Sequence, residues 1–177
     1  MRNALCLASL ALLLSACVGV PEGLTPVSAF DVDRYLGRWY EIARLDHSFE
    51  RGLTNVSAEY GLREDGSVSV LNQGYSTRKG RWDSIEGRAL FVGESDVGSL
   101  KVSFFGPFFG GYNVIVLDED YRYALVCGPN RDFLWILARE PTLSATVRER
   151  LVAQAAEWEF PVDELIWVSH EPPPTAR

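Results

Sequence analysis

The sequence has few of the residues on which catalysis, metal binding and disulfide bonding depend. It contains three cysteines and two histidines among 177 residues, and none has the spacing of a metal site or of a nucleophile beside its base. Cys6 and Cys17 lie in or next to an N-terminal apolar run, so Cys127 has no partner for an internal disulfide. The sequence therefore predicts no metal, no cofactor and no catalytic residue.

Positive charge is also scarce. Lys and Arg number 17 against 24 Asp and Glu, a net charge of -7, and they form no cluster. This argues against binding to nucleic acid and against electrostatic attachment to anionic lipid. The apolar run Ala4–Leu14 is too short to cross a bilayer as a helix.

The N-terminus has the pattern of a signal peptide. Met1-Arg2-Asn3 precedes the apolar run, and Leu14-Ser15-Ala16-Cys17 resembles the lipobox of bacterial lipoproteins. We expect residues 1–16 to be removed and Cys17 to be acylated; an ordinary secretory signal with an incidental cysteine is the alternative. Val18 after the cysteine is typical of outer-membrane sorting, which predicts a protein anchored there and facing the periplasm.

The rest of the chain divides into a linker, one domain and a tail. Residues 17–30 are poor in large apolar groups and predict a lipid-anchored linker with a reach of roughly 40 Å. Residues 31–170 suffice for one domain, and residues 171–177 are a proline-rich tail. The linker is expected to leave the domain beside the start of its first strand, without fixing how the domain faces the membrane.

The domain is predicted to be all-β. Apolar residues alternate with polar ones, as in Leu100, Val102 and Phe104, and glycine-rich or acidic turns separate the runs. Eight strands are predicted near residues 38–46, 54–62, 67–76, 81–92, 98–105, 111–117, 121–127 and 132–139. Short connections favour an antiparallel meander, either sandwich or barrel. One helix is predicted over 144–159 by helical spacing of apolar residues, followed by a short strand at 165–169.

Three motifs carry a family resemblance. Gly37-Arg38-Trp39-Tyr40 resembles the first lipocalin motif, the turn 118–121 resembles the second, and Arg139 matches the third. The runs 46–52 and 101–113 are similar to the bacterial outer-membrane branch of that family, which is related to apolipoprotein D. The resemblance implies an eight-stranded antiparallel up-and-down barrel with the helix packed outside. It also implies that Arg139 stacks on Trp39 to close one end, a structural role for Gly37, Trp39, Tyr121 and Arg139.

Strand alternation then assigns an interior, and the up-and-down order that the resemblance implies puts the links after strands one, three, five and seven at the open end, the mouth. The interior is expected to be apolar and suited to one acyl chain. Its predicted ligand-binding residues are Tyr60, Ala89, Phe91, Leu100, Val102, Phe104, Tyr123, Leu125, Phe133 and Trp135. The predicted contacts for a polar headgroup are His47, Arg51, Arg78, Lys79 and Arg131, although any one of them could be a solvated loop charge.

Three features leave alternatives open. The phenylalanines of residues 105–109 could line the ligand entrance, enter the membrane, form a homodimer contact or pack on their own loop. Glu41 is expected to point inward with Trp39 and to need a buried partner. Cys127 could be an inward thiol nucleophile, but a small buried apolar role is favoured.

The resemblance implies a lipid-anchored lipocalin that binds, stores or transports fatty acids or lysophospholipids in the cell envelope, including under envelope stress. It is not expected to be an enzyme. The alternatives are a structural envelope lipoprotein with a vestigial cavity and a thiol-dependent enzyme using Cys127.

Overall fold

The computed structural model describes residues 18–173. The predicted signal peptide 1–16 and the predicted lipidation site Cys17 lie outside these residues, as do residues 174–177. The strands are β1 Gly37–Arg44, β2 Leu53–Leu62, β3 Val68–Ser76, β4 Arg81–Phe91, β5 Ser99–Phe105, β6 Phe108–Leu117, β7 Tyr123–Cys127, β8 Leu134–Ala138 and β9 Ile166–Trp167. The helices are α1 Val32–Tyr35, α2 Ala145–Glu157 and a 3-10 turn Val162–Glu164.

The first eight strands form a closed antiparallel barrel. Each strand pairs with the next, and β1 pairs with both β2 and β8. Trp39 lies opposite Ala58 of β2, and Tyr40 lies opposite Ala138 of β8. The eight predicted strands and their meander order are confirmed, and closure removes the free sheet edges of a sandwich.

A bulge in β1 sets the direction of its later side chains. The register between β1 and β8 shifts between Glu41 and Ala43. Regular alternation would put Glu41 and Arg44 on opposite faces, but the extra residue turns both into the barrel. Toward the end of β1, the short strand β9 pairs with Ala43 and Arg44.

The described residues form two apolar cores, one inside the barrel and one outside. The inner core includes Trp39, Tyr60, Leu100 and Val126. The outer core lies between β1, β6, β7, β8 and α2, and it buries the helix residues Leu151 and Ala155. The helix begins after Ser144, whose hydroxyl accepts a hydrogen bond from the N–H of Val147, close to the predicted start.

The interior placement predicted for Tyr123 and Leu125 is wrong. Both belong to the outer core, while Ala124 and Val126 between them point into the barrel. Every residue of β7 is buried because the barrel interior covers one face and the outer core covers the other. A strand buried on both faces shows no polar alternation, so its sequence does not reveal which face is inside.

Residues 18–30, called the strap below, lie along the barrel wall. Asn113 of β6 donates a side-chain hydrogen bond of 3.0 Å to Gly19 O, and the N–H of Val27 donates to Val114 O at 2.9 Å. The N–H of Phe30 donates to Asp96 O at 2.8 Å. The segment thus runs from the mouth of the barrel to its closed end. The expected exit beside the start of β1 is wrong, since Val18 lies at the opposite end.

Among residues 18–173, no helix combines the length and the apolar character needed to cross a bilayer.

Candidate functional site

One end of the barrel is closed by a guanidinium. The Arg139 guanidinium carbon lies 4.1 Å from the ring centre of Trp39, and its N–H groups donate to the carbonyls of Arg34, Leu36, Arg38 and Tyr121. Gly37 has a φ of +88° next to Arg139, a conformation that glycine adopts without strain.

Tyr121 and α1 complete the closed end. The N–H of Asp31 donates to the Tyr121 hydroxyl at 2.9 Å, and Arg34 lies 4.2 Å above the Tyr121 ring. The Asp31 carboxylate caps α1 by accepting from the N–H of Asp33. The short helix α1 was not predicted.

Three tyrosines form a floor inside the barrel. The hydroxyl of Tyr112 lies 2.8 Å from that of Tyr35 and 2.9 Å from that of Tyr60. Burial raises the pKa of all three phenols above the ordinary value, so they stay neutral. The enclosed space next to them is about 10 Å³, room for about one water. The closed half of the barrel is therefore filled by side chains.

The predicted cavity residues divide between the two halves of the interior. Tyr60, Ala89 and Leu100 are buried at or near the floor, and Val102 also borders the enclosed space there. Phe91, Val102, Phe104 and Trp135 are partly buried against the inner core. Phe133 stacks on Trp135 with 6.2 Å between ring centres. The structure brings these eight residues to the barrel interior or its mouth, and Tyr123 and Leu125 lie outside.

The open half of the interior retains space. Gly110 lies opposite Val102 on the inner face of β6, and a Cβ added to it would meet no atom within 4 Å. Val102 and Phe104 are half-buried although they point inward. An apolar surface open to the mouth is what an acyl chain could cover.

A buried cluster of charged side chains lies at the mouth end of β1. Arg44 is 1% exposed, and its Nη1 donates to Glu41 Oε1 at 2.6 Å. Its Nη2 donates to Glu50 O at 2.8 Å. Glu50 comes from the β1–β2 loop and accepts from the Trp135 indole N–H at 3.2 Å. Glu41 thus has the buried partner that its inward direction demands.

His47 and Arg44 keep unsatisfied polar atoms in this cluster. His47 Nε2 lies 2.9 Å from Glu50 Oε2 but is not aligned for a hydrogen bond, and Nδ1 has no partner among the described residues. Arg44 Nε is also unpaired there. Buried donors without partners are costly, so the cluster could accept a polar group of a ligand or water.

The two carboxyl groups of the cluster differ in protonation. Burial raises the pKa of Glu41, and the charge of Glu50 raises it further, against the opposing effect of Arg44. Burial would also raise the pKa of Glu50, but the neighbouring His47, the Trp135 indole and Arg44 lower it below its ordinary value. Glu50 is therefore the anion of the pair.

The predicted headgroup contacts are not gathered into one site. His47 is buried in the cluster. Arg51 pairs with Asp46 at 2.5 Å, and Lys79 pairs with Asp83 at 2.5 Å. Arg131 donates to the carbonyls of Trp158 and Glu22 on the outer wall, and Arg78 is exposed at the mouth. Arg44 was not predicted because alternation alone does not reveal the β1 bulge, and Glu50 was not predicted because it lies in a loop, where strand alternation does not apply.

The mouth carries four exposed aromatic side chains. Phe49 is 62% exposed, Trp82 55%, Phe105 73% and Phe108 77%. They come from the β1–β2 loop, the start of β4 and the β5–β6 hairpin. Because Phe105 and Phe108 are so exposed, they do not pack on their own hairpin, which was one of the alternatives for this loop. The ring of Phe109 is covered by Lys101, whose Nζ lies 5.1 Å from the ring centre.

Cys127 points into the outer core and is fully buried. Burial raises the pKa of its thiol to about 12, so it carries no thiolate at neutral pH. Within the described part of the chain, no three His, Cys, Asp or Glu side chains are grouped as metal ligands would be.

Comparisons with known proteins agree with this architecture. Residues 30–170 match the family model described as a lipocalin-like domain. The chain is 56% identical over 148 residues to the outer membrane lipoprotein Blc of Citrobacter freundii, covering 84% of each. It is 55% identical over 163 residues to the protein of that name from Escherichia coli, covering 91% of this chain and 92% of the relative.

A solved structure with low sequence identity shares the fold. Insecticyanin from the tobacco hornworm Manduca sexta superposes with a TM-score of 0.69 at 20% identity, covering 87% of this chain and 88% of its own.

Proposed function

The chain belongs to the lipocalin family, and we propose that its barrel binds a single-chain lipid such as a fatty acid or a lysophospholipid. It is an outer-membrane lipoprotein, as its relatives are, and we propose that Cys17 carries the acyl anchor. Binding would serve to store or carry lipids in the envelope, including under envelope stress.

The open, apolar half of the interior carries the proposal. Val102 and Phe104 present partly covered apolar surface beside the free space at Gly110, while the tyrosine floor limits how deep a ligand can enter. A linear chain fits this shape better than a broad, rigid ring system, because it can follow a narrow space above the floor.

The expected affinity is micromolar. Burying about ten methylenes contributes about 8 kcal/mol at about 0.8 kcal/mol each. Because association and chain ordering offset part of this gain, headgroup contacts must supply the remainder needed for a micromolar Kd, which corresponds to about 8 kcal/mol.

The headgroup is proposed to lie at the buried cluster. Arg44 Nε and His47 Nδ1 have no partner among the described residues, and both belong to the buried cluster at the mouth end of β1. A carboxylate or phosphate there would accept hydrogen bonds from these donors, and the Arg44 guanidinium would add a charge to the contact. Arg78 at the mouth is a second, exposed cation that could reach a longer headgroup.

Native mass spectrometry of the delipidated protein, titrated with lysophospholipid, fatty acid and haem, tests the proposal. We expect one molecule of lysophospholipid or fatty acid per barrel. Gly110→Trp should abolish this adduct by filling the space above the floor, and Ser84→Trp on the exposed outer face of β4 is the matched control. Absence of any lipid adduct at micromolar concentration would refute the proposal.

One observation favours a second candidate, a structural envelope lipoprotein. The closed half of the barrel has only about 10 Å³ of enclosed space. If the open half also failed to admit a chain, the protein would serve as a compact envelope component. The same titration separates the two candidates. The thiol enzyme gains no support, because Cys127 does not face the interior.

A further inference from the structure

We infer that the mouth of the barrel docks on a phospholipid bilayer and that the strap holds the acylated residue at this same end. The mouth is defined here by the connections 45–52, 77–80, 106–107 and 128–133. The inference rests on the proposed acylation of Cys17, and it does not depend on which lipid occupies the barrel.

The strap fixes where the anchor leaves the domain. A Cβ on Gly111 would lie 3.0 Å from Gly19 O and 3.3 Å from Pro129 N, so the first described residues pass between β6 and the β7–β8 connection. Asn113, which is fully buried, donates to both Gly19 O and Gly128 O. Arg131 of the same connection donates to Glu22 O at 2.8 Å.

The strap is held along its length. Pro21 and Phe30 are buried, and Leu24 packs against the outer core. Backbone hydrogen bonds join Val27 to Gly98 and Val114 at 2.8 and 2.9 Å. A segment held in this way does not act as a free tether of roughly 40 Å, so the barrel cannot turn over on its anchor.

The strap begins near the tip of the β5–β6 hairpin. Asn113 is opposite Cys127, the last residue of β7, so the five residues from Phe108 to Tyr112 project past β7 by about 16 Å. Val18 C would be 3.4 Å from a Cβ on Gly111, and Gly111 lies about 10 Å along the strand from Phe108. Val18, the first described residue, therefore lies within about 20 Å of the tip, and an acyl anchor on the residue before it would leave the domain at this end.

The same end presents aromatic side chains. Phe49, Trp82, Phe105 and Phe108 are all exposed there and come from three different elements. Aromatic rings at this density are typical of surfaces that enter the membrane interface. The large apolar residues exposed at the closed end are Leu62 and Val92, which are aliphatic.

The net charge of the two ends also favours the mouth as the end that faces the membrane. The closed-end connections 31–36, 63–67, 92–98, 118–122 and 139–144 carry ten carboxylates and four arginines, a net charge of -6. The mouth connections carry three carboxylates and four Lys or Arg, a net charge of +1. An anionic bilayer repels the closed end and accepts the mouth. The acidity of the whole chain therefore does not oppose docking by this face.

With the mouth docked on the bilayer, a lipid could move from the membrane into the barrel without being exposed to water. A ligand leaving the bilayer would pass between the aromatic side chains and enter beside Gly110 and Phe104 without crossing water. The charged cluster of Arg44 and Glu50 lies at this entrance.

Depth measurements on the full acylated protein test the inference. The protein is reconstituted in phosphatidylethanolamine–phosphatidylglycerol vesicles after bimane labelling at Gly106→Cys, at the hairpin tip, or at Leu62→Cys, at the closed end. Cys127 does not compete for the label, because its thiol is buried. We expect lipid nitroxides near the top of the acyl chain to quench only the tip label and aqueous iodide to quench only the closed-end label.

Two variants test whether the aromatic side chains and the strap are responsible for the docking. Phe105→Ser with Phe108→Ser should abolish lipid quenching at Gly106→Cys. Gly111→Val should lower it, because the added side chain would displace Gly19 from β6. Retained quenching in both variants would overturn the roles assigned to the aromatics and the strap.

Docking by the mouth would be overturned if iodide quenched both labels or if the lipid nitroxides quenched the label at Leu62→Cys. It would also be overturned if neither quencher reached the label at Gly106→Cys, because a second copy of the protein would then cover this face. The mass of the intact lipoprotein shows whether Cys17 is acylated. An unmodified Cys17 would overturn the inference, because the inference assumes this anchor. Ligand titration of the delipidated protein is scored separately, so failure of docking and failure of lipid binding are distinguishable.

Discussion

Replacing Arg139 with methionine should remove much of the stability of the closed end. The guanidinium stacks on Trp39 at 4.1 Å and donates to four carbonyls, those of Arg34, Leu36, Arg38 and Tyr121. These carbonyls belong to α1, the residue that follows it, β1 and the β6–β7 connection. Arg139→Met keeps the aliphatic stem over the indole but leaves the carbonyls without their shared donor.

The expected loss is about 3–5 kcal/mol. The cation–π contact contributes about 0.5–2 kcal/mol. Charged hydrogen bonds contribute about 1.5–3 kcal/mol each when shielded, but only those to Leu36 and Tyr121 are partly buried, and water replaces part of the others. With a total stability of about 5–15 kcal/mol, the variant should unfold at a melting temperature lower by roughly 10 °C.

Urea unfolding followed by tryptophan fluorescence measures this loss. Arg63→Met, at an exposed arginine of the same end, is the matched control and should change the free energy of unfolding by less than about 0.5 kcal/mol. A loss below about 1 kcal/mol for Arg139→Met would refute the assignment of Arg139 as the residue that joins the closed-end elements.

Three further predictions concern the buried charges. Arg44→Met should cost about 3–5 kcal/mol in urea unfolding, because it removes the buried cation beside the Glu50 carboxylate and the hydrogen-bond donor to Glu41; an unchanged free energy of unfolding would contradict this role of Arg44. The pKa of Glu41 is raised by burial, so the native state keeps a proton that the unfolded chain has lost, and stability should fall as pH rises above the ordinary carboxyl range. Glu41→Gln should flatten that dependence in unfolding curves at several pH values, and an unchanged slope would count against it. The Arg122 guanidinium, with further hydrogen bonds, holds the pKa of Asp118 well below its usual range, so this pair stabilises above that range and is lost as pH falls through the lowered pKa. Asp118→Asn should lower the free energy of unfolding at neutral pH and weaken its decrease toward acid pH. If the variant lost stability toward acid pH as steeply as the wild type, the Asp118–Arg122 pair would be excluded as the source of that decrease.

The strands and the closed end could be predicted because both leave local signals. Alternating runs such as Leu100 to Phe104 give the strand period, and acidic or glycine-rich turns mark the ends. Trp39 and Arg139 belong to motifs that resemble those of a known family, and the parity of an up-and-down barrel brings them to one end.

Other features depend on contacts that a local pattern does not record. The β1 bulge turns Arg44 inward, so the buried cluster could not be found by counting alternate residues. Tyr123 and Leu125 lie in a strand buried on both faces, where alternation carries no information. The strap has the composition of a linker, yet it is held largely through backbone atoms, which every sequence provides.

Whether the barrel holds a lipid inside can be measured by locating the acyl chain of a bound lysophospholipid by NMR, with a ¹³C-labelled lipid in the methyl- and aromatic-labelled protein. We expect intermolecular contacts from the chain to Val102 and Phe104 and from the headgroup region to Trp135. Contacts confined to outward side chains such as Phe109, or no contacts at saturating lipid, would contradict it.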